Sequence, residues 1–335
     1  ISACLVGSEM CIRDRSDDTV REWAMLRVAG GDLDGDAEDA LQDFIRKNPQ
    51  EAAAEREALA EGYMRMYRVL DALNCLQQWL DVQPDAVQAL SLRGDLYWQI
   101  GAQGKAADEY RRVVELEPQR RRARERLAAG LIESGRFEEA LKQLAVVRQW
   151  KPDDPDTETR VARCDEWLER KPEAEATLDA VLAKHPDFGP ALRQRGHLLL
   201  QAGHAAEAED WLRRAVKAMP DDYQANWTLY QALEQEGKSD EARGQRDRAE
   251  ALKDLNERQS EITTRQMGAR PRDPALYTEL GEIFLKKGRN DLGERWLQSA
   301  LRLDPHYGPA HAALAKFYQE QGDEEQAAAH RREAP

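Results

Sequence analysis

Histidine and cysteine are the side chains of this chain that could serve as nucleophiles, bases or metal ligands, and their spacing favours none of these roles. Six histidines are spread along the chain, and His306 and His311 stand five residues apart, which places them on different sides of a helix. The sequence contains no Gly-x-Ser-x-Gly segment, no glycine-rich phosphate loop and no Cys-x-x-Cys pair. We therefore expect no catalytic residue and no cofactor, and we predict that the chain is not an enzyme.

Acidic residues alternate near the start of the chain, at Asp32, Asp34 and Asp36. Alternating acids open a calcium-binding loop, but Ala37 occupies the position that needs glycine, and Asp43 occupies the position that needs glutamate. A turn followed by an acidic first helical turn is the interpretation that the helix dipole favours. We therefore expect no metal site.

The helices that would position any functional side chain follow a strong internal period. Prolines stand at positions 84, 118, 152, 186 and 220, each 34 residues after the one before. Small residues recur ten positions after the prolines and glycines recur seventeen positions after them, as at Gly94 and Gly101, with Tyr230 and Glu169 as exceptions. The small residue lets two helices approach closely, the glycine ends the first helix, and the proline stops the second. Each period therefore predicts a pair of short helices.

This combination resembles the tetratricopeptide repeat, and the resemblance covers residues 17–335. The stretch from Ala89 to Pro118, ALSLRGDLYWQIGAQGKAADEYRRVVELEP, shows the whole pattern once. The resemblance implies an all-α fold, an α-solenoid wound as a right-handed superhelix from about nine helix pairs. It also implies a concave surface that binds a protein or a peptide.

The period divides the chain into four parts. Residues 1–16 do not fit it and resemble a translated sequencing adapter, as found in bacterial metagenomic genes, with a lipoprotein signal remnant at Cys4 as the alternative. Residues 17–238 predict repeats one to seven, up to the first helix of the seventh, and residues 271–335 predict repeats eight and nine. Residues 239–270 lack proline and are rich in helix formers, so we expect a long inserted helix that serves as a spacer or as a docking helix.

Composition limits the partner and the location. The net charge of −14 and the pI near 5.1 disfavour nucleic acid as the main ligand, because phosphates need a basic face. The basic run from Arg120 to Arg126 is flanked by acids and predicts an ion-paired surface. No run of 18 apolar residues is present, so we expect no membrane insertion. A cytoplasmic location and a periplasmic or lipid-anchored one both remain open.

The resemblance also indicates which side chains would face a ligand. In tetratricopeptide repeats the concave surface is lined by the second, fifth, ninth, twelfth and thirteenth positions of the first helix of each pair. Tryptophan and arginine are the residue types most often found at binding hot spots. The lysine and asparagine clamp that some members use for chaperone carboxylates has no match. The predicted partner-binding residues are Asp95, Trp98, Gln99, Arg122, Arg163, Trp167, Arg193, His197, Trp227 and Gln231.

Two functions are compatible with the sequence. The leading hypothesis is a non-catalytic scaffold that holds a segment of another protein in its concave groove. The alternative is the targeting arm of a larger enzyme, because such repeats are joined to glycosyltransferase or sulfotransferase modules in some families. For the tryptophans there is a competing structural interpretation, in which they cover the joints between helices and bind no ligand. The partner itself is not indicated by any residue.

Overall fold

The chain is all-α in the part that the computed structural model describes, which is residues 17–29, 35–66, 68–270 and 272–334. Tertiary contacts divide it into two units, Ile1–Ala123 and Arg124–Pro335, and the boundary falls in the first turn of α7. The first six helices are α1 (Asp17–Ala29), α2 (Gly35–Lys47), α3 (Ala53–Arg65), α4 (Val69–Val82), α5 (Val87–Gln99) and α6 (Gln103–Leu116). The next eight are α7 (Arg121–Glu133), α8 (Phe137–Trp150), α9 (Pro155–Trp167), α10 (Lys171–Lys184), α11 (Gly189–Gln201), α12 (Ala205–Ala218), α13 (Tyr223–Gln235) and α14 (Ser239–Glu261). A π-helical turn (Ile262–Gln266) then precedes α15 (Met267–Ala269), α16 (Pro274–Lys286), α17 (Asn290–Leu303), α18 (Gly308–Glu320) and α19 (Glu324–Glu333).

Consecutive helices pack as pairs, as the period predicts. Contacts join α1 to α2, α3 to α4, and α5 to α6 in the first unit, and α9 to α10, α11 to α12, α13 to α14, α16 to α17 and α18 to α19 in the second. A hydrogen bond of 2.6 Å from Arg124 on α7 to Gln143 on α8 links the remaining pair. The prediction of about nine helix pairs is confirmed.

Within each unit, helix pairs also pack against neighbouring pairs. Within the first unit, α3 contacts both α1 and α5. Within the second unit, α11 contacts both α9 and α13, and α16 contacts α18. Because each helix is too short to bury its apolar side alone, the core is shared between neighbouring repeats. In the second unit, α9, α11 and α13 therefore lie side by side, and this arrangement positions the candidate site.

The small-residue columns mark places where two helices meet at close range. A Cβ atom added to Gly281 on α16 would lie 2.6 Å from Cγ of Leu297 and 3.0 Å from the carbonyl oxygen of Gly293, both on α17. A Cβ atom added to Gly293 would in turn lie 3.0 Å from the carbonyl oxygen of Gly281. Backbone cannot yield as a flexible side chain can, so glycine is required on both helices here.

The predicted glycine turns end the first helix of each pair in the left-handed region of backbone space. Positive φ angles occur at Gly101, Gly135, Gly203, Gly237, Gly288 and Gly322, which are the six glycines that the period singles out. Glu169 occupies the same place in the fifth repeat and adopts φ of +59° although it carries a side chain. The turn geometry is therefore kept even where the sequence departs from glycine.

Residues 239–269 form one nearly continuous helical segment made of α14, the π-helical turn and α15. Ala249, Leu252, Ile262 and Met267 on this segment are fully buried. The segment contacts α13 at one end and α16 at the other. Its role as a spacer or as a docking helix stays a prediction.

Candidate functional site

Three neighbouring helices of the second unit, α9, α11 and α13, enclose a groove with a cavity of about 330 Å³. We call it the α9–α11–α13 groove. Each helix contributes two of the predicted partner-binding residues, since the same positions of successive repeats point to the same side. The six are Arg163, Trp167, Arg193, His197, Trp227 and Gln231. The structure thus brings together side chains that are up to 68 residues apart in the sequence, and their role in binding stays a prediction.

Local sequence fixes where these helices begin. The side chain of Asp154 accepts a hydrogen bond of 3.0 Å from the backbone amide of Thr157, and Pro155 occupies the first helical position of α9. Burial acts to raise the pKa of Asp154, but hydrogen bonds from Thr157 outweigh it, and the pKa is lowered overall. On α13, Asp222 accepts in the same way from the amide of Ala225, at 2.6 Å. Both carboxylates therefore cap the first turn of their helices.

Aromatic rings form the apolar part of the groove. The indole of Trp167 is 61% exposed, although one of its faces is stacked on Phe137, with 5.5 Å between ring centroids and 7° between planes. Trp227 packs between Tyr223 and Tyr230, at centroid distances of 6.1 Å and 5.0 Å. A large exposed ring on a rigid support loses little entropy when it contacts a ligand, which suits an anchor point.

The two arginines of the groove are held by acids from neighbouring elements. Nη1 of Arg163 donates to Glu133 at 2.8 Å, and Nη1 of Arg193 donates to Asp222 at the same distance. Both side chains remain partly exposed, at 34% and 23%. Their positive charge is largely balanced, so they offer directed hydrogen bonds more than a strong attraction for anions.

Glu166 is the buried acid of the groove, with 6% of its side chain exposed. It accepts hydrogen bonds from the amide of Gln194 and from Nδ1 of His197, the latter at 3.0 Å. A carboxylate accepts hydrogen bonds, so Nδ1 of His197 is the donor in this contact. The amide nitrogen of Gln201 lies 3.4 Å from Nε2, the other ring nitrogen. The buried acid therefore fixes the orientation of a half-exposed imidazole.

The other four predicted residues belong to the first unit and do not line this groove. Asp95 accepts a hydrogen bond of 2.6 Å from the hydroxyl of Tyr110 and lies 3.4 Å from Nη2 of Arg122. Trp98 is partly buried and Gln99 is exposed. Asp95 and Arg122 thus form part of an ion-paired surface, as expected for the basic run.

Sequence reasoning missed three side chains that shape the groove. Phe137 starts α8, a second helix of a pair, and its ring supports Trp167. Tyr223 is the first residue of α13, and Gln194 is the sixth residue of α11. None of the three stands at a position that the resemblance assigns to the concave surface. Only the helical spacing of the aromatic residues Tyr223, Trp227 and Tyr230 could have indicated one of them, Tyr223.

Other chemistry has little support among the described residues. Burial raises the pKa of the Cys75 and Cys164 thiols to about 12, so neither is a reactive thiolate at neutral pH. Groups of three or more potential metal ligands are absent from the described ranges, while Cys4, Asp32 and Asp34 lie outside them.

The structure also shows a contact between two histidines that the sequence did not predict. Nδ1 of His311 lies 2.8 Å from Nδ1 of His330. Across the described helices, none has the length and apolar character needed to cross a bilayer.

Stacked helix pairs and a groove lined by first helices define a helical-repeat protein of the kind that binds other proteins. Family models described as tetratricopeptide repeat match residues 57–121, 168–223, 193–257 and 235–308 in one case. A second such model matches residues 101–164 and 131–195. The chain therefore belongs to the tetratricopeptide-repeat family, whose members are protein-interaction scaffolds.

Individual relatives are distant. A mouse protein, DnaJ homolog subfamily C member 3, is 27% identical over 201 residues, which are 59% of this chain and 39% of that protein. The chain thus spans about two fifths of that relative's length. A tetratricopeptide repeat protein from Parabacteroides merdae has a similar structure, with a TM-score of 0.53, 14% identity, and coverage of 94% of this chain and 98% of that one. YrrB, described as a TPR protein with an unusual peptide-binding site, gives a TM-score of 0.46 at 18% identity, covering 56% of this chain and 95% of that one.

Proposed function

We propose that this chain is a non-catalytic scaffold that binds an extended segment of another protein in the α9–α11–α13 groove. The observation that carries the proposal is the convergence of six predicted side chains, Trp167, Arg193 and Trp227 among them, on one cavity. Three successive repeats supply them, as expected for a ligand that runs across several first helices. The exposed indole of Trp167 supplies an anchor in the same place.

The lining of the groove indicates what such a segment would present. Trp167 and Trp227 offer ring surface to an apolar or aromatic side chain. Gln224 and Gln231 offer exposed amide groups, which can both donate to and accept from a peptide backbone. The arginines are already paired, so a strongly acidic segment gains little here. We therefore expect a mixed segment with at least one large apolar side chain.

The proposal is tested by selecting peptides from a random display library on the intact protein and measuring the affinity of a selected peptide by calorimetry. Trp167→Ala and Trp227→Ala are expected to weaken binding at least about ten-fold each, the loss typical of a hot-spot aromatic. Trp150→Ala is the matched control, because Trp150 ends α8 and does not line the groove. Unchanged affinity in both groove variants would place the binding surface elsewhere.

A further inference from the structure

A second cavity, of about 380 Å³, lies in the first unit between α2, α3 and α4. Its lining is mostly polar and includes charged residues from all three helices. Glu38 and Arg46 come from α2, Arg56 from α3, and Asp71 from α4. It shares no residue with the α9–α11–α13 groove, so a ligand bound here is independent of the function proposed for that groove.

Arg56 is the unusual member of this lining. Only 3% of the residue is exposed, its Nη1 donates to the carbonyl oxygen of Pro49 at 2.7 Å, and its Nε is buried without a hydrogen-bond partner. Among the described residues, no carboxylate forms an ion pair with it. The adjacent Glu55 is fully buried and is bound by Arg21, so it attracts Arg56 by its charge but forms no ion pair with it. Burial lowers the pKa of Arg56, but an arginine in a protein keeps its proton, so a charge remains in the wall of the cavity.

The other charges of the cavity have partners. Glu38 accepts from Arg68 at 2.6 Å and from the hydroxyl of Tyr63 at 2.8 Å. Arg68 also donates to Asp71 at 2.7 Å. Arg46, at the rim, donates to Asp43 at 3.1 Å. Within the described residues of this wall, Arg56 is therefore the cation that forms no ion pair.

A buried charge without a partner is costly, and an oxyanion in the cavity would remove that cost. Guanidinium groups bind carboxylate and phosphate oxygens with directed hydrogen bonds. The side-chain amides of Asn74 and Gln78 also line the cavity and can donate to the same ligand. We propose that this cavity binds the oxyanion group, carboxylate or phosphate, of a small molecule, with Arg56 as its principal ligand.

The test is thermal unfolding of the intact protein with inorganic phosphate or with succinate, each compared with chloride at the same ionic strength. Saturating probe is expected to raise the Tm of the wild type by about 2–4 °C, and the two probes distinguish a tetrahedral from a planar oxyanion. Arg56→Met should abolish the shift. Arg46→Met is the matched control and should keep it, because Arg46 lines the same cavity but is paired and 74% exposed. The absence of a shift in the wild type, or an equal shift in Arg56→Met, would overturn the proposal.

A second measurement does not depend on the folding of a variant. Cys75 lines the cavity, and its Sγ donates to the carbonyl oxygen of Arg56 at 3.5 Å. The reaction is run at alkaline pH, because the Cys75 thiol is a poor nucleophile at neutral pH. A bound anion should slow the alkylation of Cys75 in the wild type, measured by peptide mapping, whereas alkylation of the buried Cys164 in the second unit should not respond. Equal rates for Cys75 with and without both probes would contradict binding at this place.

Discussion

The indole of Trp167 lies parallel to the ring of Phe137, with 5.5 Å between centroids, and still keeps 61% of its surface exposed. Phe137 belongs to the repeat before that of Trp167. The stack thus joins two successive repeats and holds a large ring at the edge of the groove. The arrangement separates two roles, because the buried face of the indole serves stability and the exposed face is available to a ligand.

Trp167→Ala should therefore reduce binding far more than stability. Loss of a stacked pair costs about 0.5–1.5 kcal/mol, and the exposed part of the ring contributes little to the free energy of unfolding. Affinity for a selected peptide should fall about ten-fold or more. Urea denaturation and calorimetry on the same samples check both values. A loss of stability well above about 2 kcal/mol, with affinity retained, would assign the ring to structure alone.

Substitution by alanine should change stability in opposite directions at two mid-helix glycines, Gly281 and Gly244. Gly281→Ala places Cβ against Leu297 and the backbone of Gly293, so we expect a loss of about 1–3 kcal/mol in unfolding free energy. Gly244 on α14 has open space around the added methyl group, so Gly244→Ala should stabilise the helix by about 0.5–1 kcal/mol. Urea denaturation measures both. If the two variants change stability by the same amount, the close approach of α16 and α17 does not explain the glycine at position 281.

Glu169 provides a test of the turn that ends each first helix. Its φ of +59° costs a residue with a side chain about 1 kcal/mol relative to glycine. Glu169→Gly should therefore raise the free energy of unfolding by up to that amount. Gly135→Ala, at the equivalent place one repeat earlier, should lower it similarly, since φ there is +72°. If Glu169→Gly is instead less stable than the wild type, the glutamate side chain stabilises the fold by more than the strained backbone at this position costs.

The contact between α18 and α19 should make stability depend on pH. Burial and the nearby His311 lower the pKa of His330. The unfolded chain then binds a proton at a higher pH than the folded chain, so the free energy of unfolding falls as pH drops through about 6.5 and below. In this contact Nδ1 of His311 lies 2.8 Å from Nδ1 of His330, and Nε2 of His311 lies 3.0 Å from the carbonyl oxygen of Pro305.

Urea denaturation at several pH values between neutral and mildly acidic checks this dependence. His330→Gln should flatten the slope. His204→Gln is the matched control and should leave it unchanged, because His204 is 59% exposed and lies outside the contact between α18 and α19. A wild-type stability that does not fall on acidification would mean that the unfolded and folded states bind protons equally at this site.

The fold is predictable because its determinants are local and repeated. Gly101 and its equivalents end helices by backbone conformation alone, which the sequence reveals directly. Glu169 replaces the glycine of the other repeats but adopts the same positive φ. The turn is therefore set by the helices on either side of it, and the glutamate side chain alone does not predict it. Positions such as Trp167 and Trp227 could be placed on one side of the array, since the period puts equivalent residues of successive repeats together.

The remaining features depend on contacts between side chains that the period does not encode. Gln194 is buried against Glu166 only because of the rotamers that both residues adopt. Arg56 could not be told from an exposed arginine, because the sequence around it is as polar as that of a surface helix. The contact between His311 and His330 could not be predicted either, since 19 residues separate them and it depends on how α18 and α19 cross.

The central claim, that the α9–α11–α13 groove holds a segment of another protein, is tested most directly by photo-crosslinking with a selected peptide. Gln231 lines the groove and is exposed, so a p-benzoylphenylalanine placed at this position lies beside the ligand. The same amino acid at Arg214, exposed on α12, is the control. We predict a peptide adduct at position 231 that excess unlabelled peptide suppresses, and none at position 214. Equal adducts at both positions, or an adduct at position 214 alone, would contradict the claim.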